Sequence, residues 1–234
     1  ASCLVGSEMC IRDRVYELLA DDHSRKVLRD VVEYKLTGDI KLLRGCESEP
    51  REAWESILRP GKEEHYMDLG AYTGDTIAEF IGYAGEWRRI TALEPDPVTF
   101  AKLEKNTAGL HDCILYRLGA YSRYARLPFA GGAGRGSHLA AGGAMTELDS
   151  VDNILCGQTV SLINMDVEGM EAEAIAGMAK TLRRYRPKLL IAGYHRSEDL
   201  WRLPLEVLAI QPEYKVYVRH YPCLPAWDVN FYFV

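Results

Sequence analysis

The sequence predicts an α/β protein built on a doubly wound, mostly parallel sheet of seven strands. This Rossmann-like sheet is expected to carry an antiparallel C-terminal strand pair and a helical N-terminal cap. From residue 65 onward, short apolar segments alternate with amphipathic segments of helical period, as in sheets covered by helices on both faces. The last two segments, 214–221 and 228–234, alternate apolar and polar residues as antiparallel strands do. Residues 15–58 carry helical patterns only.

The composition excludes several classes of protein. The chain has 234 residues, of which 47% are hydrophobic and 26% charged, so it can bury a core without disulfides or structural metal. Lys and Arg number 28 against 34 Asp and Glu, and the net charge of −6 argues against a nucleic-acid or polybasic membrane surface. The sequence contains no stretch of about 18 apolar residues, so it predicts no membrane-spanning helix. The six cysteines lack a C-x-x-C pair and suggest free thiols in a reducing, cytoplasmic compartment.

Residues 1–14 differ from the rest of the chain. They have no basic region before an apolar core, which makes them a poor signal peptide. The segment from Cys3 to Arg14 resembles a translated transposon-type sequencing adapter, so we expect it to be non-native and dispensable. The alternative is a native, frayed N-terminus.

Residues 15–60 are predicted to form the helical cap. Asp22 or Ser24 can cap the first helix, and Gly38 is expected to end it. Two shorter helices follow, over residues 40–43 and 51–58.

Residues 61–234 are predicted to form a single cofactor-binding domain. Its strands are expected over 65–70, 89–95, 113–122, 160–169, 188–195, 214–221 and 228–234. Its helices are expected over 75–84, 97–109, 170–185 and about 198–210. The segment 131–143 holds six glycines and predicts a mobile hairpin or flap, with a surface hairpin as the alternative.

The first chemical motif follows the first strand and has the form Asp68-x-Gly70-x-x-x-Gly74. This spacing is neither the dinucleotide G-x-G-x-x-G nor the phosphate-binding G-x-x-x-x-G-K-[ST]. Glycine in such a turn lets the backbone approach a ligand closely. The Asp68 carboxylate would repel a diphosphate, but it suits a cationic ammonium such as that of S-adenosylmethionine.

The second motif ends the next strand, where Glu94 follows Asp68 by 26 residues. In doubly wound folds a carboxylate at this position accepts hydrogen bonds from ribose hydroxyls. Taken alone, either acid could equally well be a helix cap or part of a solvated turn as a cofactor-binding residue. Together, in this order, they predict a methyltransferase.

The chain resembles the FkbM family of S-adenosylmethionine-dependent methyltransferases over roughly residues 15–234. The segments that carry the resemblance are DLGAYTGDT, LEPDP, LGAYS, LDS, MDVEGMEAEAI, YHRSEDLW and YKVYVRHY. It implies a class I methyltransferase fold with the cofactor across the carboxyl ends of the strands. It also implies methylation of a small molecule, usually at a hydroxyl of a sugar or secondary metabolite, without naming the acceptor.

The resemblance and the motifs together assign cofactor-binding residues. They are Asp68, Gly70, Ala71, Thr73, Gly74, Asp75 and Thr76 in the first motif, Glu94, Pro95 and Asp96 in the second, Gly119, Ala120 and Tyr121 after the third strand, and Asp166. Tyr121 is equally well explained by strand-end geometry.

Four residues are candidates for the chemistry. Asp166 and Glu168 follow the fourth apolar strand, where they could hold the acceptor, take its proton or bind a divalent cation. Glu168 could instead cap the following helix. His195 and His220 end the next two strands and could act as general bases, with a structural histidine as the alternative for each.

We expect in-line methyl transfer, with Asp166 or His195 as the base. A variant with magnesium or manganese on the four candidate residues is possible but not favoured. The alternatives are an N- or C-methyltransferase, a non-catalytic S-adenosylmethionine-binding or scaffold relative and, more distantly, a nicotinamide dehydrogenase. The expected partner is a small-molecule acceptor rather than nucleic acid or a membrane, and the oligomeric state stays open.

Overall fold

The computed structural model describes residues 13–130, 138–139, 144–223 and 228–234. Most of residues 1–14, whose non-native origin stays a prediction, and most of the glycine-rich segment 131–143 lie outside the described residues. None of the described helices combines the length and the apolar character that crossing a membrane requires.

Eleven strands of the described chain form two sheets. They are β1 (His65–Leu69), β2 (Arg89–Leu93), β3 (Cys113–Tyr116), β4 (Gly119–Ala120), β5 (Ala125–Ala130), β6 (His138–Leu139), β7 (Ala144–Asp149), β8 (Leu162–Met165), β9 (Lys188–Ala192), β10 (Val216–His220) and β11 (Val229–Phe233). The larger sheet has seven strands in the order β10-β11-β9-β8-β1-β2-β3. In it β1 lies parallel to β2 and β8, β2 lies parallel to β3, and β10 and β11 are antiparallel. The predicted fold class is confirmed.

Nine helices have defined bounds in the described chain, and residues 13–18 are also helical. The nine helices with defined bounds are α1 (Asp22–Thr37), α2 (Ile40–Gly45), α3 (Pro50–Glu52), α4 (Asp75–Ala84), α5 (Pro97–Thr107), α6 (Val151–Leu155), α7 (Glu171–Gly177), α8 (Ala179–Tyr185) and α9 (Asp199–Ile210). A π-helical turn, Ala53–Leu58, continues α3. Gly38 ends α1 as expected, with φ 73° and its N–H donating to the Tyr34 carbonyl.

Three predicted elements need correction. The cap of α1 is neither Asp22 nor Ser24 but Asp21, whose carboxylate accepts from the Ser24 amide. The predicted helix 170–185 divides at Met178 into α7 and α8, and the Asp152 carboxylate accepts the Thr181 and Lys180 amides in the first turn of α8. These hydrogen bonds stabilise the start of a second helix, whose first amides have no partner within the helix.

The predicted third strand, 113–122, also divides into two. Its second part, β4, leaves the main sheet and pairs with β7. There it joins a four-stranded sheet, in the order β4-β7-β5-β6, that the sequence analysis did not predict.

The chain forms two compact units, Arg59–Leu190 and the combination of Ala1–Leu58 with Ile191–Val234. In the first unit, strands β1, β2 and β8 bury Met67, Ile90 and Ile163, and the Tyr66 ring stacks on Phe80 at 4.2 Å between centroids. The predicted boundary between cap and cofactor domain near residue 60 stays a prediction.

The second unit joins the two ends of the chain around one buried cation. Arg219 of β10 is 2% exposed and donates to Asp21 at 2.8 Å and to Glu52 at 2.8 Å. It also donates to the Ser24 hydroxyl at 2.8 Å. A buried guanidinium is stable only with such partners, so the network fixes helices α1 and α3 on β10.

Candidate functional site

The turn after β1 is held by the neighbouring strand. The amides of Gly70 and Ala71 both donate to the Leu93 carbonyl, at 3.0 and 2.9 Å. Gly70 has φ 88°, and a Cβ there would lie 1.9 Å from the carbonyl oxygen of Asp166. Glycine is therefore required at position 70 because this turn packs directly on the backbone after β8, and the approach of a ligand to the turn stays a prediction.

Helix α4 begins at the end of the same turn. Its N-cap is Gly74, with φ 91° and no side-chain cap. Asp75 is exposed and Thr76 is half-buried in the first turn. The positive end of a helix that starts with no side-chain cap is a suitable neighbour for a carboxylate.

Asp68 lies fully buried beneath the turn. Its carboxylate accepts hydrogen bonds from Thr76 at 2.5 Å, from the Asn164 amide at 2.9 Å and from the Tyr66 hydroxyl at 3.4 Å. Burial raises the pKa of Asp68 to about 6, against the lowering effect of the Thr76 and Asn164 hydrogen bonds. Asp68 therefore ties the start of α4 to β8, and its predicted contact with an ammonium group stays a prediction.

Glu94 follows β2 and is 7% exposed. One carboxylate oxygen accepts from the Asp96 amide at 2.8 Å and the other from the Tyr72 amide at 3.1 Å. Burial raises the pKa of Glu94 to about 7, against the lowering effect of these two hydrogen bonds. Because each oxygen can accept a second hydrogen bond, this fixed carboxylate can receive a pair of hydroxyls.

Asp96 has a structural task. One of its oxygens accepts the amides of Val98 at 3.0 Å and Thr99 at 2.8 Å, and it thereby caps α5. This side chain is 3% exposed, so its predicted help with a ribose stays a prediction.

Residues Gly119–Ala120 form β4 beside the second motif. A Cβ on Gly119 would lie 3.7 Å from Cβ of Pro95 and 2.5 Å from Leu148. The next residue, Tyr121, donates its amide to the Asp149 carbonyl at 2.9 Å, and Gly177 packs on its carbonyl oxygen. Strand pairing and close packing therefore fix the backbone of 119–121.

The loop after β8 carries the two candidate carboxylates. Asp166 and Glu168 are both half-buried, and the Asp166 amide donates to the Leu69 carbonyl at 2.9 Å. Glu168 has φ 53° and Gly169 has φ 90°, so two consecutive residues lie in the left-handed region. The structure thus brings together three predicted segments, at Gly70, Glu94 and Asp166, through the backbone contacts of Leu69, Gly70 and Leu93.

The sequence analysis missed Glu171. Its side chain, 1% exposed, accepts the amides of Val167 at 3.2 Å and Gly169 at 3.3 Å through one oxygen. The N-cap of α7 is Met170, so Glu168 does not serve as that helix's N-cap. Only the acidic first turn of a helix was visible in the sequence, and that pattern is typical of solvated helix ends.

The two candidate histidines belong to the unit formed by the chain ends. His195 follows β9, is half-buried and lies 4.4 Å from the Tyr194 ring between centroids. His220 ends β10 and is 1% exposed, and its carbonyl accepts the Ser48 amide at 2.7 Å. Burial lowers the pKa of His220, which favours its neutral form. Their roles as bases stay predictions.

The sequence and the fold match known methyltransferases. The sequence model for the methyltransferase FkbM domain matches residues 68–217. The crystal structure of methyltransferase FkbM from Methylobacillus flagellatus KT aligns with a TM-score of 0.85 and 27% identity, over 97% of this chain and 59% of that chain. The present chain thus spans 59% of the length of that protein.

Two further structures share the fold alone. Fibrillarin of Aeropyrum pernix with natively bound S-adenosyl-L-methionine aligns with a TM-score of 0.50 and 12% identity, over 79% of this chain and 71% of that chain. An rRNA methylase of Streptococcus thermophilus aligns with a TM-score of 0.51 and 13% identity, over 80% of this chain and 96% of that chain. No curated protein sequence matches the chain significantly.

Proposed function

Because this chain belongs to the FkbM methyltransferase family, as the match over residues 68–217 shows, we propose that it is an S-adenosylmethionine-dependent methyltransferase. Its acceptor is a hydroxyl of a sugar or secondary metabolite. The observation that carries the proposal is the Glu94 carboxylate, held by two backbone amides directly after β2. A buried acid with spare acceptor capacity at that position suits the two hydroxyls of a ribose.

The neighbouring segments suit the other parts of the cofactor. The turn from Gly70 to Gly74 and the start of α4 would receive the methionine carboxylate, because a helix N-terminus favours an anion. Residues 119–121 would line the adenine. Asp68 would act by holding Thr76 and Asn164 in place, and its carboxylate would favour the cationic ammonium of the methionine part.

The chemistry proposed for the site is in-line displacement. When bound, S-adenosylmethionine supplies a methyl group on a positively charged sulfur. Asp166 or His195 would accept the hydroxyl proton of the acceptor, and Glu168 would help to hold that acceptor. Positioning of the acceptor oxygen would supply most of the rate acceleration.

A reducing, cytoplasmic setting is supported by the free thiols of Cys46, Cys113, Cys156 and Cys223.

Calorimetry and a labelling assay test the proposal. We expect S-adenosylhomocysteine to bind, NAD not to bind, and a labelled methyl group to pass to an acceptor in a panel of sugars and polyketides. Tight binding of NAD instead would overturn the proposal in favour of a dehydrogenase. Binding of S-adenosylhomocysteine with no transfer to any acceptor would favour a non-catalytic relative.

Two further measurements decide the finer points. Mass spectrometry of the product identifies the methylated atom, and a product methylated on nitrogen or carbon would refute O-methylation. Loss of activity in a strong chelator, restored by magnesium or manganese, would establish the metal-assisted variant in place of direct transfer.

A further inference from the structure

Glu171 is a buried acid that the proposed chemistry does not use. It is 1% exposed at the start of α7, and one carboxylate oxygen accepts the amides of both Val167 and Gly169. Burying a carboxylate is costly unless its oxygens accept hydrogen bonds. Both of these amides belong to the backbone of the loop that carries Asp166 and Glu168.

The same loop is fixed from its other side by the first motif. The Asp166 amide donates to the Leu69 carbonyl at 2.9 Å, and Gly70 packs on the Asp166 carbonyl oxygen. Between these two anchors the backbone passes through the left-handed region at Glu168 and Gly169. A non-glycine residue keeps that conformation only where its surroundings impose it.

We propose that Glu171 is a positioning residue for methyl transfer. By holding the Val167 and Gly169 amides, it fixes the backbone of 166–169, so that Asp166 and Glu168 meet the acceptor in one geometry. This inference rests on the proposed function. It predicts that loss of Glu171 lowers the rate of methyl transfer more than it weakens cofactor binding. The reason is that a small displacement of the reacting groups lowers the rate steeply.

Two substitutions at Glu171 and one matched control test this role. Glu171→Ala removes the acceptor, and we expect the turnover number to fall about 10- to 100-fold while the dissociation constant of S-adenosylhomocysteine changes less than about threefold. Glu171→Gln keeps an oxygen that can accept both amides, so it should keep most of the activity. Glu173→Ala is the control, because Glu173 lies in the same first turn but is exposed.

Amide hydrogen exchange provides a second readout that needs no acceptor. We expect exchange at Val167 and Gly169 to quicken in Glu171→Ala and to stay unchanged in Glu173→Ala. If Glu171→Ala does not fold, Glu171→Asp carries the same test, because the shorter side chain keeps the charge but loses the reach.

The possible results separate this inference from the proposed function. Unchanged exchange at both amides, or a turnover number equal to that of the wild type, would overturn the positioning role. A loss of cofactor affinity as large as the loss of turnover would also overturn it. If the wild type transfers no methyl group, the proposed function fails, and the exchange measurement still decides whether Glu171 holds the loop.

Discussion

Substitution of Gly70 by alanine tests the packing between the first motif and the loop after β8. The new Cβ would lie 1.9 Å from the Asp166 carbonyl oxygen, whereas real Cβ atoms essentially never come closer than 3.0 Å. The two segments would have to separate by about 1 Å. That movement would weaken the two hydrogen bonds that the Gly70 and Ala71 amides donate to Leu93, which contribute about 1 kcal/mol each.

The left-handed backbone adds to this loss. With φ 88°, alanine at position 70 is disfavoured by about 1–2 kcal/mol relative to glycine. We therefore expect Gly70→Ala to lower the free energy of unfolding by about 3–4 kcal/mol, or about 10 °C in midpoint for a chain of this size. Urea denaturation followed by circular dichroism measures the change.

Gly38→Ala is the matched control for this prediction. Gly38 lies in the left-handed region with φ 73° and has nothing within 4 Å of the added Cβ, so alanine there meets only the backbone cost of about 1–2 kcal/mol. The difference between the two variants isolates the close approach to Asp166. If both lost the same free energy within about 0.5 kcal/mol, our account of Gly70 would be refuted.

Three other changes test separate parts of the structure. Since burial raises the pKa of Glu94 to about 7 from an ordinary value of 4.5, the stability of the ligand-free protein should fall as pH rises between about 4.5 and 7. Glu94→Gln should reduce that fall in the free energy of unfolding by up to about 3 kcal/mol. Urea titrations at the two ends of this pH range measure the change, and an unchanged pH dependence would contradict the prediction. Asp96→Ala should destabilise the protein by about 1–2 kcal/mol through loss of the α5 cap, and Asp96→Asn by much less, as thermal unfolding will show. His195→Ala should lower turnover far more than affinity for S-adenosylhomocysteine, and a normal turnover number would remove His195 as the base.

Elements whose signals are local were predictable from the sequence. Helix α4 has the predicted bounds. Gly74 and Gly85 lie at its two ends with positive φ values, which glycine adopts readily, so both ends are visible in the sequence. The order of strands and helices around the main sheet also followed from the pattern of apolar residues. Its other strands lie in short apolar segments, and β10 and β11 alternate apolar and polar residues.

Features that depend on distant partners could not be predicted. The carboxylate that accepts the first amides of α8 belongs to Asp152, which lies 29 positions before Thr181. The structural role of Asp68 depends on its hydrogen bond with Asn164, which lies 96 residues later in the chain. Glu171 resembles any acid in a first helical turn until its burial is known, and β4 is too short to carry a periodic signal of its own.

The buried Arg219 network has a consequence for the order in which the protein can fold during synthesis. Arg219 lies 198 residues after Asp21, so the ribosome completes the Arg59–Leu190 unit before the partner of Asp21 and Glu52 exists. Until β10 emerges, the apolar face that α1 packs against this strand stays uncovered, and exposed apolar surface is what makes nascent chains aggregate. Truncation before Arg219 would therefore also disturb the beginning of the chain, because Asp21 and Glu52 would lose the cation that they bind.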